Sequence, residues 1–232
     1  MFVFLLADAH LEHVPEALRG HRSVVKWARI RRKKPQDLLF DSTLLYSITK
    51  KRRNLIERGR PDILHRALLT ILDSELCKLG VVRGIIIHTV LGEIYCVNPR
   101  TRLPRHYFRF LGLMEKLLNE GVILTGGRRL IWRVRGLEEA LKTCNVDYVI
   151  GLSRRGRSVD VRRYVEEKLR YGTVCFVVGV FPRGFFSETI RRILDDLISL
   201  GPRPYSSSYV LCRLICTCED IVIRSNRGSK EY

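Results

Sequence analysis

The stretch "TVCFVVGVFPRGFF", residues 173–186, decides the fold class of this chain. Residues 173–180 form an apolar run without alternating polar positions, which is typical of a strand buried on both faces. Three similar runs precede it, "VFLLA" at residues 3–7, "GIIIHT" at 84–89 and "DYVIGL" at 147–152. Strands of this kind occur in parallel sheets that helices cover on both sides.

Two patterns of helical period lie among these strands. The segment "ILHRALLTILDSELCKLG", residues 63–80, predicts one helix that ends at Gly80. The segment "SETIRRILDDLISLG", residues 187–201, predicts a second helix with Ser187 as its N-cap. Alternation of strands and helices indicates an α/β fold with a largely parallel sheet.

Length and composition set the class of protein. The 232 residues are 46% hydrophobic and contain no internal repeat or low-complexity linker, so we expect one domain over residues 1–232, with the basic segment 19–60 included. No apolar run reaches the roughly 18 residues that cross a bilayer. The opening "MFVFLLADAH" lacks a small-residue cleavage site and is interpreted as a first strand. We therefore expect a soluble intracellular protein.

The net charge indicates a polyanionic partner. Lysine and arginine number 42 against 24 acids, which gives +18. Each contact with a phosphate releases counterions, so a surplus of this size favours nucleic-acid binding. The alternative is the charged surface of a heat-adapted protein, but such surfaces usually balance the two signs.

The seven cysteines do not predict a metal site, because they lack the C-x2-C spacing of zinc ligands. Four isolated cysteines lie within apolar runs and are expected in the core. They are Cys77, Cys96, Cys144 and Cys175. The segment "CRLICTC" (212–218) is expected to form a buried helix face, although a disulfide stays open if the source is a hyperthermophile.

Arginines are concentrated in "NPRTRLPRHYFRF", residues 98–110. Pro104 is predicted in the first turn of a helix, where its missing N–H costs nothing. Arg105 and Arg109 would then share one helix face, with Arg102 just before it. Guanidinium groups fork onto phosphate oxygens, so this row predicts a phosphate-binding surface. The alternative is a set of surface ion pairs, but the acids of this helix are few and distant.

Two further segments carry polar groups at element ends. In "RGRPDILH", Asp62 begins a helix, where a carboxylate is favoured by the helix dipole, and Arg60 can keep it ionised. The loops "VGVFPRGFF" and "PRPYSSSYVL" follow a strand and open a helix, and such places bind ligands in open α/β sheets. Their glycines fit neither the dinucleotide nor the P-loop spacing.

Four segments, in this order, resemble one family: "RGRPDILHRALLTILDS", "VNPRTRLPRHYFRFLGLMEKLL", "VGVFPRGFF" and "YSSSYVLCRLICTCED". They look like the pseudouridine-N1-specific methyltransferases of small-subunit ribosomal RNA, a ribosome-biogenesis family of the SPOUT superfamily. The likeness covers nearly the whole chain, and "ADAHLEHVPEALRGH" is similar to archaeal members. It implies a homodimer with a C-terminal trefoil knot that binds S-adenosylmethionine. It also implies a cytoplasmic location in an archaeon, or a nucleolar one in a eukaryote.

The resemblance also implies roles for particular residues. Arg60 would contact RNA. Asp62 would orient Arg60 or assist removal of the proton from the substrate. Arg102, Arg105 and Arg109 match the RNA-contacting arginines of the family. The methyl-donor site would comprise Leu152, Gly179, Gly184, Tyr205, Ser206, Ser207, Ser208, Tyr209 and Val210. The chain departs from the family at His106 and Phe108, where small or basic residues are commoner, and at Tyr205, which replaces a usual leucine.

Three hypotheses for function follow. The first is an S-adenosylmethionine-dependent enzyme that methylates N1 of a pseudouridine in small-subunit ribosomal RNA. The second is a non-catalytic assembly factor that uses the same basic surface to bind ribosomal RNA. The third is a methyltransferase that acts on transfer RNA, as other members of the superfamily do.

Overall fold

The computed structural model of the chain describes residues 1–49, 55 and 58–228. The described strands form one eight-stranded sheet in the order β4-β5-β3-β2-β1-β7-β6-β8. The strands are β1 (Phe2–Ala9), β2 (Val82–Thr89), β3 (Ile94–Val97), β4 (Val122–Thr125), β5 (Arg128–Val134), β6 (Tyr148–Ser158), β7 (Val174–Gly179) and β8 (Asp196–Ser199). The neighbouring strands β2, β1, β7, β6 and β8 pair in parallel. Beyond β2, the strands β3, β5 and β4 extend the sheet with antiparallel pairing. The predicted α/β fold with a mostly parallel sheet is confirmed.

Helices cover both faces of this sheet. The described α-helices are α1 (Arg22–Arg31), α2 (Tyr46–Thr49), α3 (Pro61–Leu72), α4 (Glu75–Lys78), α5 (Tyr107–Glu120), α6 (Leu137–Thr143), α7 (Val161–Lys168), α8 (Glu188–Arg191) and α9 (Ser207–Gly228). Three short 3-10 helices lie at Glu16–Leu18, Pro35–Asp37 and Leu169–Tyr171. None of the helices described is long and apolar enough to cross a membrane.

Strand β1 lies at the centre of the sheet and explains the two-layer core. All of its residues are buried, and successive side chains point to opposite faces. Phe2, Phe4 and Leu6 pack into the cluster that holds α3, α5, α7 and α9. Val3 and Leu5 pack into the cluster that holds α6 and α8. The apolar run at residues 3–7 is therefore buried on both sides, as its sequence predicts, and β1 continues through the buried Asp8 to Ala9.

The predicted helix over residues 63–80 is interrupted. Helix α3 ends at Leu72, and α4 begins after Ser74, whose hydroxyl donates to the Ile71 carbonyl at 2.6 Å and accepts from the Cys77 N–H at 3.3 Å. A serine that bonds the backbone in this way ends one helix and caps the next. Gly80 has φ +71°, the left-handed conformation expected after a helix end.

The predicted helix over residues 187–201 is wrong in its second half. Only Glu188–Arg191 is helical, and Asp196–Ser199 instead forms β8 against β6. Asp196 accepts hydrogen bonds from the Tyr164 hydroxyl at 2.7 Å and from Arg157 at 2.9 Å. Pairing with an open strand edge and these long-range bonds outweigh the local helical pattern.

Three smaller predictions also need correction. Helix α5 begins at Tyr107 with His106 as N-cap residue, so Pro104 lies before the helix and not in its first turn. Cys77 is half-buried, whereas the other three isolated cysteines are buried as expected. In the segment 212–218, the first and second cysteines are exposed and only the third is buried. The seven cysteines are free thiols.

Candidate active site

A cavity lies at the carboxyl edge of the parallel strands, where β7 and β8 end and the middle of β6 passes. Its volume is about 430 Å³, within the range of small-molecule sites. Six of the nine residues predicted for the methyl-donor site line it: Leu152, Gly179, Gly184, Tyr205, Ser207 and Val210. The other three, Ser206, Ser208 and Tyr209, are not among its lining residues.

Close approach of the backbone shapes this cavity. The hydroxyl of Ser207 donates to the Gly179 carbonyl at 2.6 Å and ties the first turn of α9 to the end of β7. A Cβ at Gly179 would lie 2.5 Å from the ring of Phe181. Gly201 has φ +156°, and a Cβ there would lie 2.9 Å from the Tyr205 hydroxyl. The loops therefore hold a narrow cleft with exposed backbone groups, which only glycine at these positions permits.

Three exposed arginines also line the cavity, and the sequence analysis missed them. They are Arg154, Arg183 and Arg203. Arg183 and Arg203 lie within the two loop segments that predicted a ligand site, so the loops themselves were the available signal. Arg154 lies within β6, after its apolar part, and the sequence gives no sign that this part of the strand lines a cavity.

The structure brings Arg60 and Asp62 together at the start of α3. Arg60 Nε donates to Asp62 Oδ1 at 2.7 Å, and Arg60 Nη2 donates to Oδ2 at 2.9 Å. Arg66 Nη2 adds a further bond to Oδ2 at 3.0 Å. Burial raises the pKa of Asp62, but the hydrogen bonds and charge of Arg60 outweigh it and leave that pKa below its ordinary value. The carboxylate is thus held ionised.

Tyr107 and Asp41 form a second polar contact beside this pair. The Tyr107 hydroxyl donates to Asp41 Oδ2. Burial and the charge of Asp41 raise the pKa of Tyr107, so its hydroxyl stays a donor. Asp41 Oδ1 accepts from the Thr43 N–H at 2.8 Å and thereby orders the turn after Phe40. The sequence analysis missed this pair, although its aspartate lies in "FDSTLLYSI", a segment that shares the family likeness.

His65 connects α3 to the arginine segment. Its Nε2 lies 2.8 Å from the Pro104 carbonyl, and its ring stacks on Phe110 with centroids 4.2 Å apart. Burial lowers the pKa of His65, so the neutral imidazole donates to the carbonyl oxygen. The position of the segment before α5 therefore depends on a residue of α3.

Arg105 and Arg60 lie toward opposite ends of α3. The chain passes from α3 through α4 to the start of β2, so the N-terminus of α3 faces the carboxyl edge of the parallel strands. Arg105 lies 3.2 Å from Asp73, just after the other end of α3. Asp73 is not an acid of α5, so this largely exposed ion pair leaves in place the expectation that the acids of that helix are too few and too distant to neutralise the row.

Arg102 and Arg109 are exposed, as a phosphate-binding surface requires. However, none of the five predicted catalytic and RNA-binding residues lines the cavity described above: Arg60, Asp62, Arg102, Arg105 and Arg109. The predicted catalytic and RNA-binding residues therefore lie outside the lining of this cavity within one chain.

A smaller cavity of about 310 Å³ adjoins the first and shares Phe181, Arg183 and Phe185 with it. In its wall, His88 Nδ1 lies 3.1 Å from Asp8 Oδ1, and Asp8 Oδ2 accepts from the Ser187 N–H at 2.9 Å. Burial raises the pKa of Asp8, but these hydrogen bonds leave it below its ordinary value. An ionised Asp8 thus ties the ends of β1 and β2 to the loop after β7.

The fold and the site define an α/β protein whose small-molecule cavity lies at the carboxyl edge of parallel strands, beside a basic surface. The chain belongs to the EMG1/NEP1 methyltransferase family, whose model matches residues 4–219. The family predicted from the sequence is thereby confirmed.

Relatives and a solved structure are similar to this chain over nearly its whole length. The chain is 37% identical over 220 residues to the ribosomal RNA small subunit methyltransferase Nep1 of Saccharolobus solfataricus, covering 94% of this chain and 96% of the relative. It is 39% identical to Nep1 of Archaeoglobus fulgidus, with 95% of each chain covered. The crystal structure of Archaeoglobus fulgidus Nep1 bound to S-adenosylhomocysteine superposes with a TM-score of 0.82 at 36% identity, covering 96% of this chain and 98% of that one.

Proposed function

We propose that this protein is an S-adenosylmethionine-dependent methyltransferase that methylates N1 of a pseudouridine in small-subunit ribosomal RNA. The observation that carries the proposal is the cavity at the ends of β7 and β8, beside β6, in a member of this methyltransferase family. Its relatives are named for the same RNA, and a similar structure holds the demethylated donor. These observations favour an enzyme over a non-catalytic assembly factor or a transfer RNA methyltransferase.

The lining residues fit the proposed methyl donor. Leu152, Val178 and Val210 supply apolar walls for an adenosine, and the backbone of Gly179 and Gly201 leaves room for hydrogen bonds to it. When bound, S-adenosylmethionine supplies a sulfonium methyl group that is transferred to a nucleophilic nitrogen.

The Arg60–Asp62 pair is proposed to orient the substrate. A useful general base has a pKa near the working pH, whereas Asp62 has a lowered pKa and accepts three hydrogen bonds from arginines. Asp62 therefore holds the guanidinium of Arg60 in one direction, and Arg60 offsets negative charge that develops on the uracil ring as N1 loses its proton to solvent water. Arg102, Arg105 and Arg109 bind backbone phosphates of the same RNA.

We further propose that the active protein is a homodimer in which the arginine surface of one chain serves the cavity of its partner. None of the predicted RNA-binding arginines lines the cavity of its own chain, and arginines of a partner chain would supply the missing substrate contacts. The exposed side of α9 continues from the cavity and carries apolar and thiol side chains suited to a protein contact. These are Tyr209, Cys212, Cys216 and Ile223, with Tyr205 just before the helix.

The remaining expectations join this proposal. We propose that residues 1–232 form one domain of the SPOUT superfamily whose C-terminal part is knotted, and that it acts in the cytoplasm. Support for the knot is the order of β7, β6 and β8 in the sheet, together with the return of the chain from β8 to the end of β7 at Ser207.

Transfer of labelled methyl to a small-subunit RNA hairpin tests the activity. We expect incorporation into a hairpin that contains one pseudouridine and none into the matched hairpin with uridine, which has no N–H at that ring position. Equal labelling of both hairpins would refute pseudouridine specificity. Absence of labelling, with no heat of S-adenosylmethionine binding, would leave the assembly-factor hypothesis.

Mixing two inactive variants tests the composite site. Gly179→Leu fills the cavity, and Arg60→Ala removes the orienting arginine, so each homodimer should be inactive. Hybrids carry one intact composite site, so the mixture should regain roughly a quarter of the wild-type rate, since about half of randomly mixed dimers are hybrids. A mixture as inactive as its components, with subunit exchange shown by mass, would rule out sharing between chains.

A further inference from the structure

Two aromatic side chains lie against each other at the surface between α1 and α5. The ring centroids of Trp27 and Phe108 are 5.7 Å apart, at an interplanar angle of 50°. Phe108 is 44% exposed, and the exposed His106 lies 5.8 Å from it. We call Trp27, His106 and Phe108 the aromatic platform. Its members come from the basic N-terminal segment and from the arginine segment, which the fold brings together.

A buried carboxylate fixes the geometry of the platform. Glu115 on α5 is 1% exposed and accepts from Arg31 at 3.0 Å and from Lys33 at 2.7 Å. The guanidinium of Arg31 also lies over the Trp27 ring, 5.6 Å from its centroid. Helix α1 is thus anchored to α5 next to Phe108. The rings have little freedom to move apart, so binding on them costs little ordering entropy.

Positive charge surrounds the platform. Arg105 and Arg109 flank Phe108 on the arginine segment, and both are exposed. On α1, the exposed Arg22, Lys26 and Arg29 recur at helical spacing and share one face. Trp27 lies roughly 100–160° around α1 from that face, so the cations nearest the rings are Arg105 and Arg109 beside Phe108 and Arg31 over Trp27. This charge disfavours a basic partner and favours a polyanion.

Burial alone does not explain an aromatic residue at position 108. Four other residues of α5 supply its contribution to the core: Phe110, Leu111, Met114 and Leu117. Phe108 projects away from that core and leaves nearly half of its surface in water, where apolar area has no stabilising role. Exposed aromatic rings interleaved with arginines are the arrangement by which proteins bind unpaired nucleotides.

We propose that the aromatic platform is a stacking site for an unpaired RNA base that neighbours the nucleotide held by Arg105 and Arg109. The base lies on the face of Phe108, with His106 or Trp27 at its edge. Because every base has a π-face, the site tolerates any base and fixes the path of the loop rather than its sequence. This inference rests on the proposed function only in taking RNA as the ligand.

Four substitutions separate stacking from charge, each measured by binding of the pseudouridine hairpin across a range of salt concentrations. Phe108→Leu keeps apolar volume and removes the ring, and should weaken binding roughly 5- to 100-fold with an unchanged salt slope. Arg109→Gln should lower the salt slope by about 1, because it removes one phosphate contact. Phe108→Lys should also weaken binding, whereas a purely electrostatic surface would bind more tightly after gaining a charge. Tyr171→Leu, at a residue 60% exposed elsewhere, is the matched control and should change nothing.

Fluorescence locates the stacked base. Hairpins with 2-aminopurine at successive loop positions should show one position that wild type quenches, that Phe108→Leu does not quench and that Phe108→Trp quenches again. Phe108→Leu and Phe108→Lys with wild-type affinity, or no quenched position in the wild-type complex, would overturn the proposal. Methyl transfer by the wild type is measured in parallel, so failure of the activity and failure of the platform are separate results.

Discussion

Asp62→Asn in combination with Arg60→Lys tests whether the carboxylate acts on the substrate directly or through the arginine. Asparagine keeps one acceptor oxygen and the shape of the side chain, but it loses the charge and one of the two bonds to Arg60. Lysine keeps the positive charge at position 60, but it has no planar fork to be oriented.

The structure sets the size of the expected effect. Both side chains of the pair are about three-quarters buried, with 27% of Arg60 and 25% of Asp62 exposed, so solvent screens the pair only in part. A hydrogen bond between charged groups contributes about 1.5–3 kcal/mol, so misorientation of Arg60 should lower kcat/KM by roughly 10- to 100-fold. Loss of a general base would lower the rate by about 10²–10⁴-fold, which overlaps with this range. The single variant therefore does not discriminate.

The double-mutant cycle discriminates, with single-turnover methyl transfer as the assay. If Asp62 acts through Arg60, Asp62→Asn should cost less than about threefold in the Arg60→Lys background, because the group that it orients is already altered. Glu138→Gln, which removes an exposed ion pair with Lys142 on α6, is the control and should leave the rate unchanged. Equal losses in both backgrounds would refute the orienting role and make Asp62 an independent base.

Three further predictions concern stability and the cofactor. Burial holds the pKa of His65 below its ordinary value, so the contribution of His65 to the free energy of unfolding is complete above about pH 6.5 and declines at lower pH. Urea titrations should show this decline in wild type but not in His65→Gln. Glu115→Gln leaves Arg31 without its buried carboxylate and should lower the free energy of unfolding by about 3 kcal/mol. This is the lower end of the range for a broken buried ion pair, because Lys33 can turn to water. A loss under about 1 kcal/mol in urea titrations would contradict this prediction. Gly179→Val should weaken S-adenosylhomocysteine binding by about tenfold or more in calorimetry, because the valine side chain would collide with the ring of Phe181. Unchanged affinity in a folded variant would place the methyl-donor site elsewhere.

The sequence was informative wherever a residue's environment followed from its neighbours in the chain. The run at residues 3–7 in β1 is apolar and buried at every position. The position of the loop directly after the apolar strand β7 predicted that this loop contributes to a ligand site. The end of the 187–201 pattern shows where such reasoning fails. Its leucines and isoleucines suit a helix, but Asp196–Ser199 joins β6 because that strand offers an open edge and partners for Asp196.

By itself, the sequence determined the α/β class, the family, the basic character of the surface and the ionised Arg60–Asp62 pair, because each depends on local periodicity, composition or near neighbours. Only the tertiary structure decided what stands next to what. It placed six predicted residues around one cavity and left the predicted RNA-binding arginines out of the lining of that cavity. It also joined Trp27 to Phe108 and His65 to Pro104. Such contacts join residues tens of positions apart, and they exist only because burying the shared apolar core offsets the entropy of closing the chain between them.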